Sequence, residues 1–383
     1  MDPVQTFKSF YSAKPEVVTA APGRLEFVGN HTDYNGGLVM GVAVDRGIRV
    51  AASKRTDGAI ILRSEGMDSI AESNINEIKP LNSDKSWANY ALGVFDELRK
   101  AGMSVSSGFE MSVSSDLPYG AGMSSSAAFE LSSGLALGSI YGFETSTANW
   151  ARIGRRAENN FVGMPCGILD QGVSAFGQRD HIVRIDCKAE TFDRVSLPHG
   201  VHFWVFNTSV KHALVDSLYA TRHKECTEAF EILKQADAQL ECLADASPQL
   251  VEENKAALGE VCYKRARHVT EETQRVREME TALSTGDLKQ AGALLFGSHD
   301  SSQHLFENSC PELDLIVEKL KGIDSVYGAR LTGGGFGGAV MAVTSSEFDE
   351  SFAEELATEY GQRFDHKPAI FHTQSGDGAR VIS

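Results

Sequence analysis

The chain has 383 residues, with 52 acidic against 36 basic side chains and a formal net charge of -16. This balance disfavours a general nucleic-acid role, because phosphate backbones are bound by basic surfaces. No apolar run of about 18 residues is present, so no membrane span is expected, and the first residues lack the pattern of a signal peptide. The six cysteines form no Cys-x-x-Cys pair, which argues against a zinc or redox motif. Scattered cysteines are typical of free thiols in a reducing compartment, so we expect a cytoplasmic protein.

The spacing of apolar residues predicts alternating strands and helices in the first half of the chain. The predicted strands lie at 16–28, 38–54 and 108–114, and the predicted helices at 87–100, 126–137 and 148–160. After a buried-strand pattern at 202–207 the chain becomes rich in Glu, Lys, Arg and Ala. Helices are predicted there at 216–240, 250–284 and 287–297, and strands at 323–331 and 339–343. This order indicates an α+β protein with two lobes, residues 1–200 and 201–383.

Residues 117–128 read Leu-Pro-Tyr-Gly-Ala-Gly-Met-Ser-Ser-Ser-Ala-Ala, between a predicted strand and a predicted helix. Gly120 and Gly122 let the backbone take positive φ and approach a ligand closely. The serines at 124–126 leave hydroxyl and N–H groups at a helix start, where the helix dipole favours an anion. We interpret this segment as a phosphate-binding loop, although no Gly-Lys-Ser/Thr follows the glycines as in the Walker pattern. The alternative is a Ser-capped helix after a tight turn.

A second polar segment, residues 23–37, places Arg, Asn, His, Asp and Tyr between glycines. Such a density of polar groups between apolar strands is costly unless a ligand or water satisfies them. Asp33 could accept hydrogen bonds from two vicinal hydroxyls, and Arg24 could bind a phosphate or carboxylate through its planar fork. A polyol ligand fits this mixture. The alternative is a polar surface turn with an Asn-Gly signal.

Two further carboxylates, Glu158 and Asp170, flank the segment 163–167. A carboxylate late in a helix is disfavoured by the helix dipole, so a cation partner would explain Glu158. Mg²⁺ takes carboxylate, hydroxyl and phosphate oxygens, and Glu158 with a serine of the phosphate-binding loop would suit it. The alternatives are a salt bridge from Glu158 to a nearby arginine, Arg152 or Arg155, and a helix-capping role for Asp170.

The segment 331–339 carries five glycines in seven positions between two predicted strands. Glycine costs roughly 0.5–1 kcal/mol relative to Ala in regular structure, which a close approach to a ligand or a neighbouring loop would explain. A flexible hairpin loop is the alternative for this segment alone.

Together these segments resemble the GHMP small-molecule kinases, and residues 23–37 with 158–170 resemble the galactokinases among them. The similarity extends to 207–212, Tyr219, 265–269 and 309–314, in the family's order. It implies transfer of the γ-phosphoryl group of ATP to the anomeric hydroxyl of a hexose. It also implies an N-terminal lobe like ribosomal protein S5 domain 2, with a left-handed βαβ unit, and a C-terminal ferredoxin-like lobe. The resemblance implies that the site lies between the lobes.

The resemblance also implies a role for each matching residue. Asp170 is the base or electrostatic partner of the reacting hydroxyl, and Arg24 steadies that hydroxyl and the phosphoryl group. The sugar is contacted by Asn30, His31, Asp33, Gly167 and Tyr219. The nucleotide is held by Gly120, Ala121, Gly122, Met123, Ser124, Ser125 and Ser126, with Trp87 beside the adenine. Ser126 and Glu158 hold Mg²⁺. ATP and Mg²⁺ are thus the expected cofactors and a hexose the expected partner, for a monomer or weak homo-oligomer.

Two positions depart from the galactokinase pattern. Asn30 stands where the family usually has a Glu that contacts the C6 hydroxyl of the sugar, so a C6 carboxylate as in galacturonate would no longer meet a like charge. Glu26 stands where the family commonly has Asn, and we expect its side chain to point away from the site by strand alternation. A sugar 1-kinase with altered C6 specificity is therefore one alternative. Another GHMP kinase, such as one for N-acetylhexosamine, arabinose or mevalonate, and a non-catalytic sugar-sensing regulator are the others.

Overall fold

The computed structural model describes residues 2–118, 120, 122–211 and 215–383. The strands are β1 (Val17–Val28), β2 (Leu38–Lys54), β3 (Ala59–Ser64), β4 (Ala71–Asn74), β5 (Phe109–Ser115), β6 (His181–Asp186), β7 (Thr191–Ser196), β8 (His202–Lys211), β9 (Val326–Thr332), β10 (Gly337–Thr344), β11 (Ala369–Thr373) and β12 (Arg380–Val381). The helices are α1 (Pro3–Tyr11), α2 (Asn89–Lys100), α3 (Ser125–Tyr141), α4 (Thr147–Arg156), α5 (Leu169–Phe176), α6 (Val215–Ala236), α7 (Pro248–Glu253), α8 (Lys255–Ser284), α9 (Leu288–Ser301), α10 (Pro311–Leu320) and α11 (Glu350–Phe364).

The strands form two separate sheets. The first has the order β12-β1-β2-β5-β3-β4, with β6 paired to β2 and β7 to β6. The second is antiparallel, in the order β11-β8-β10-β9. The predicted lobe boundary at residue 200 falls between β7 and β8, whereas β12 returns to pair with β1 of the first sheet. The division at residue 200 stays a prediction, and β12 would be an exception to it.

A shared hydrophobic core joins the two sheets. It contains Leu25 and Phe27 of β1 together with Phe203 of β8 and Met341 of β10. The rings of Phe27 and Phe203 meet edge to face, with their centroids 6.4 Å apart. Burying these large apolar side chains on both sides fixes the lobes against each other, and the cleft between them is the place for a ligand.

The alternation of side chains along β1 corrects the expectation that Glu26 points away from the site. Residues two apart in a strand share a face, so Glu26 lies on the face of Arg24, while Leu25 and Phe27 take the core face. The side chain of Glu26 therefore lines the cleft instead of pointing away from it. The expectation that Glu26 faces away was wrong.

Most predicted elements are confirmed, with shifted ends. β1 and β2 differ from prediction by at most one residue, whereas the helix predicted at 148–160 leaves α geometry after Arg156 and continues as a π-helical turn, Ala157–Val162. The helix predicted at 250–284 is divided, because α7 ends at Glu253 and Gly259 has a non-helical φ of 66° within α8. In the described part of the chain, no helix is long and apolar enough to cross a bilayer.

Candidate active site

The cleft holds an open cavity of about 650 Å³, within the range of about 300–1,000 Å³ typical of ligand sites. Its walls come from β1, the polar loop at 29–33, the segment 163–170, the start of α6 and the glycine loop after β9. The lining residues that carry polar side chains or form the glycine edges include Arg24, Glu26, Asn30, His31, Asp33, Gly167, Asp170, Tyr219, His223, Gly333 and Gly334. The structure therefore brings together all five predicted sugar contacts and both predicted catalytic residues.

Asp170 is held by two partners on opposite sides. Its Oδ1 accepts from Nε of Arg24 at 2.7 Å and lies 2.7 Å from Nη2 of the same guanidinium. Its Oδ2 accepts a hydrogen bond from the hydroxyl of Ser124. The helix cap before α5 is Ile168, without a side-chain capping bond, so the alternative of a capping Asp170 is wrong. The carboxylate instead links β1 to the predicted phosphate-binding loop.

The two described glycines of the predicted phosphate-binding loop have the backbone that the sequence predicts. Gly120 and Gly122 have φ of 70° and 67°, and a Cβ at either glycine would meet no atom within 4 Å, so both face open space. Ser124, at φ 48°, precedes α3 and makes no side-chain cap, which removes the alternative of a serine-capped helix at this residue. Nη1 of Arg24 donates to the carbonyl of Gly122 at 2.7 Å and ties the loop to β1.

Three other predicted nucleotide contacts of this loop differ in accessibility. Ser125 is exposed and Ser126 is half-buried at the start of α3. The side chain of Met123 is buried in the core between the sheets, so this residue can offer only its backbone. Ala121 lies outside the described residues. The roles of all these residues toward ATP stay predictions.

Asp33 stands against the backbone of Gly167. A Cβ built on Gly167 would lie 1.8 Å from Oδ2 of Asp33, so only glycine leaves room for the carboxylate. Burial first, and then the charge of Glu26, raise the pKa of Asp33 to about 7. A half-buried carboxylate that faces a cavity is suited to accept hydrogen bonds from a polyol.

The His31 ring has protein partners on both nitrogens. Nε2 lies 3.0 Å from the carbonyl of Gly334 and Nδ1 lies 2.9 Å from the hydroxyl of Tyr34. Since a carbonyl only accepts, Nε2 carries the proton and Nδ1 accepts from Tyr34. Burial lowers the pKa of His31 to about 3, so the ring is neutral. Together with Tyr219, whose ring centroid is 5.2 Å away, it forms an uncharged wall of the cavity.

Glu158 has no cationic partner among the described residues. Nε2 of Gln171 donates to it at 2.7 Å, and Ser126 donates to it as well. Burial and the charge of Asp170 raise its pKa, although these hydrogen bonds lower it. The alternative of a salt bridge is wrong, because Arg152 and Arg155 both pair with Glu190. A buried carboxylate beside a hydroxyl and a second carboxylate fits a divalent cation.

Trp87 lies apart from the cavity. Its ring stacks on Phe129 with 6.0 Å between centroids and packs against the core of the first sheet. Its buried Nε1 has no hydrogen-bond partner in the described part of the chain. The predicted position beside the adenine stays a prediction.

Two regions distant in sequence hold the polar loop: Glu272, which no sequence motif indicates, and the glycine loop after β9. Oε1 of Glu272, on α8, accepts from the backbone N–H of Gly29 at 3.0 Å and of Asn30 at 3.2 Å. Burial would raise the pKa of Glu272, but Arg275 and other nearby cations hold it at about 2. The carbonyls of Gly333 and Gly334 accept from Asn30 and His31, so the glycine loop packs against the polar loop. The alternative of a flexible hairpin loop for 331–339 does not account for these hydrogen bonds.

Comparison with known proteins agrees with this architecture. The family models described as "GHMP kinases N terminal domain" and "GHMP kinases C terminal" match residues 89–178 and 279–362. The one described as "Galactokinase galactose-binding signature" matches residues 5–54. A mevalonate kinase structure from Methanococcus jannaschii shares the fold, with a TM-score of 0.66 and 21% identity over 94% of this chain and 98% of that one. The fold is that of the two-domain GHMP kinases.

Relatives with higher sequence identity show which family of GHMP kinases the chain belongs to. A galactokinase from Thermotoga neapolitana is 38% identical over 94% of this chain and 99% of that protein. One from Glaesserella parasuis is 37% identical over 98% and 97%. The crystal structure of Lactococcus lactis galactokinase complexed with galactose superimposes with a TM-score of 0.94, at 29% identity, over 99% of this chain and 98% of that one. The chain therefore belongs to the galactokinase family of the GHMP kinases, a family that implies ATP as the phosphoryl donor.

Proposed function

We propose that this protein transfers the γ-phosphoryl group of ATP to the anomeric hydroxyl of galactose, giving galactose 1-phosphate and ADP. The observation that carries the proposal is the contact of Arg24, Asp170 and Ser124 where the sugar cavity meets the phosphate-binding loop. Phosphoryl transfer needs mainly positioning and stabilisation of charge, and this contact joins the acceptor side of the reaction to the donor side.

The reacting hydroxyl donates to Asp170, whose other bonds orient it. With Arg24 on Oδ1 and Ser124 on Oδ2, the carboxylate cannot rotate, so its remaining lone pairs keep one direction toward the cavity. Arg24 offsets the negative charge that develops on the transferring phosphoryl group. Asp170 orients the hydroxyl and takes its proton late in the transfer.

Mg²⁺ fits this site, and Glu158 with Ser126 would hold it. When bound, the ion would supply charge neutralisation for the phosphate oxygens of ATP. The carboxylate of Glu158 is kept in place by Gln171, and Glu130 behind it has one oxygen without a hydrogen-bond partner in the described residues. A monomer or weak homo-oligomer in the cytoplasm remains our expectation for the molecule as a whole.

The test is ADP formation from ATP and Mg²⁺ with galactose, against a reaction without sugar, and with the product identified by ³¹P NMR. We expect sugar-dependent ADP release in equal amount to galactose 1-phosphate. A sugar-sensing protein would bind both ligands without releasing ADP, and that result would refute the proposal. The intact Arg24–Asp170 pair supports catalysis over sensing.

A further inference from the structure

The side chain of Asn30 has no hydrogen-bonding capacity left for a ligand. Its Nδ2 donates to Oε1 of Glu26 and to the carbonyl of Gly333, each at 3.0 Å. Its Oδ1 accepts from Nδ2 of Asn308 at 2.8 Å and from the hydroxyl of Ser302 at 3.2 Å. A carboxamide has two N–H groups and two lone pairs, and all four are used. Asn30 could bind a sugar hydroxyl only by giving up one of these bonds.

Glu26, which is hydrogen-bonded to Asn30, still has acceptor positions free for a ligand. It is only 4% exposed, yet it lines the cavity. Oε1 accepts from Asn30, and Oε2 accepts from the backbone N–H of Gly333 at 3.0 Å. A carboxylate offers about four acceptor positions, so about two remain.

The surroundings of Glu26 hold its carboxylate in one position at this end of the cavity. The guanidinium of Arg330, which is fully buried, lies 3.5 Å from Oε1 and supplies a positive charge behind the carboxylate. The backbone N–H of Glu26 is held by Thr332 at 3.0 Å. Held at both ends, the side chain is preorganised to accept a hydrogen bond from a ligand.

We propose that Glu26 is the specificity-determining residue that accepts the hydrogen bond of the C6 hydroxyl, and that Asn30 is the positioning residue that holds it. This inference rests on the proposed phosphorylation of galactose. It reverses the hypothesis that Asn30 makes room for a C6 carboxylate, because the negative charge has moved to Glu26 and would repel galacturonate. Relative to the family pattern of Asn then Glu, the two side chains have exchanged positions.

The first test compares D-galactose with its 6-deoxy analogue, D-fucose (fucose below), and with D-galacturonate. We expect wild-type kcat/KM to be about 10- to 100-fold lower for fucose, which lacks the hydroxyl that Glu26 binds, and lower still for galacturonate. In Glu26→Gln, kcat/KM for galactose should fall about tenfold while that for fucose changes little, so the galactose-to-fucose ratio collapses. A merely structural role would lower both sugars equally and leave the ratio unchanged, which would overturn the inference.

Glu97→Gln is the matched control, since Glu97 is also 4% exposed and ion-paired but lies on α2 outside the cavity lining. It should leave the ratio at the wild-type value. The exchange Glu26→Asn with Asn30→Glu is the second variant: each single change should lower activity on galactose, and the double variant should recover both activity and the ratio. If the double variant recovers neither, Glu26 does not act through this pair. A wild type that turns over no galactose would refute the proposed function itself, whereas an unchanged ratio in Glu26→Gln refutes only this inference.

Discussion

The half-buried carboxyl of Asp33 makes the stability of the ligand-free protein depend on pH. Its pKa rises from 3.8 to about 7 on folding, because of burial and the charges of Glu26 and Asp170. The folded protein then holds the proton more tightly than the unfolded chain. The stabilising contribution is fully present below pH 3.8 and is lost as the pH rises through 7.

The magnitude follows from the slope of one proton, about 1.4 kcal/mol per pH unit. Between pH 5 and 8, with the slope falling to half a proton at pH 7, this gives a loss of roughly 3 kcal/mol in the free energy of unfolding. For 383 residues the unfolding entropy is about 0.8 kcal/mol/K, so the loss corresponds to about 4 °C in Tm. Asp33→Asn keeps the shape of the side chain and removes the titration.

The assay is the Tm of both proteins across pH 5 to 8.5 without ligands, by differential scanning fluorimetry and circular dichroism. Contributions of other titrating groups, such as His31, cancel in the difference between the two proteins. We expect Asp33→Asn to gain about 4 °C relative to wild type between pH 5 and 8. A Tm difference that stays within 1 °C over this range would refute the reasoning.

Three further predictions concern catalysis and binding. Asp170→Asn should lower kcat about 10²- to 10⁴-fold and leave the Kd for ATP nearly unchanged; near-normal turnover would show that this carboxylate has no role in the transfer. Gly167→Ala places a Cβ 1.8 Å from Oδ2 of Asp33, so KM for galactose should rise at least about tenfold, whereas Gly297→Ala, whose Cβ would meet its nearest atom only at 3.5 Å, should behave as wild type. Chelation by EDTA should abolish turnover, and Glu158→Gln should raise the Mg²⁺ concentration for half-maximal rate about tenfold. The Tm should not fall, because the substitution removes a buried carboxylate that lies beside the like charge of Asp170. An unchanged Mg²⁺ dependence would contradict the metal assignment.

Local patterns were sufficient for several features of this protein. The tight turn in the predicted phosphate-binding loop could be predicted because positive φ at Gly120 and Gly122 is a property of glycine within a few residues. β1 and β2 followed from their apolar runs, and the family resemblance indicated the two-lobed fold. The predicted helix at 148–160 differs from the structure at the π-helical turn that carries Glu158, because a local apolar pattern does not distinguish α from π geometry.

Contacts between distant residues could not be predicted from these patterns. The hydroxyl of Ser124 meets a carboxylate 46 residues away, and the backbone of Asn30 is held by Glu272 from 242 residues away. Glu26 lies on the same face of β1 as Arg24, two residues before it, so strand alternation counted from Arg24 places Glu26 in the cleft. The amino-acid sequence thus determined which chemistry the cleft contains, while the packing of the two lobes decided which side chains remain free to use it. The physical reason is that a polar group bonded across the lobes, as Asn30 is, has no capacity left for a ligand.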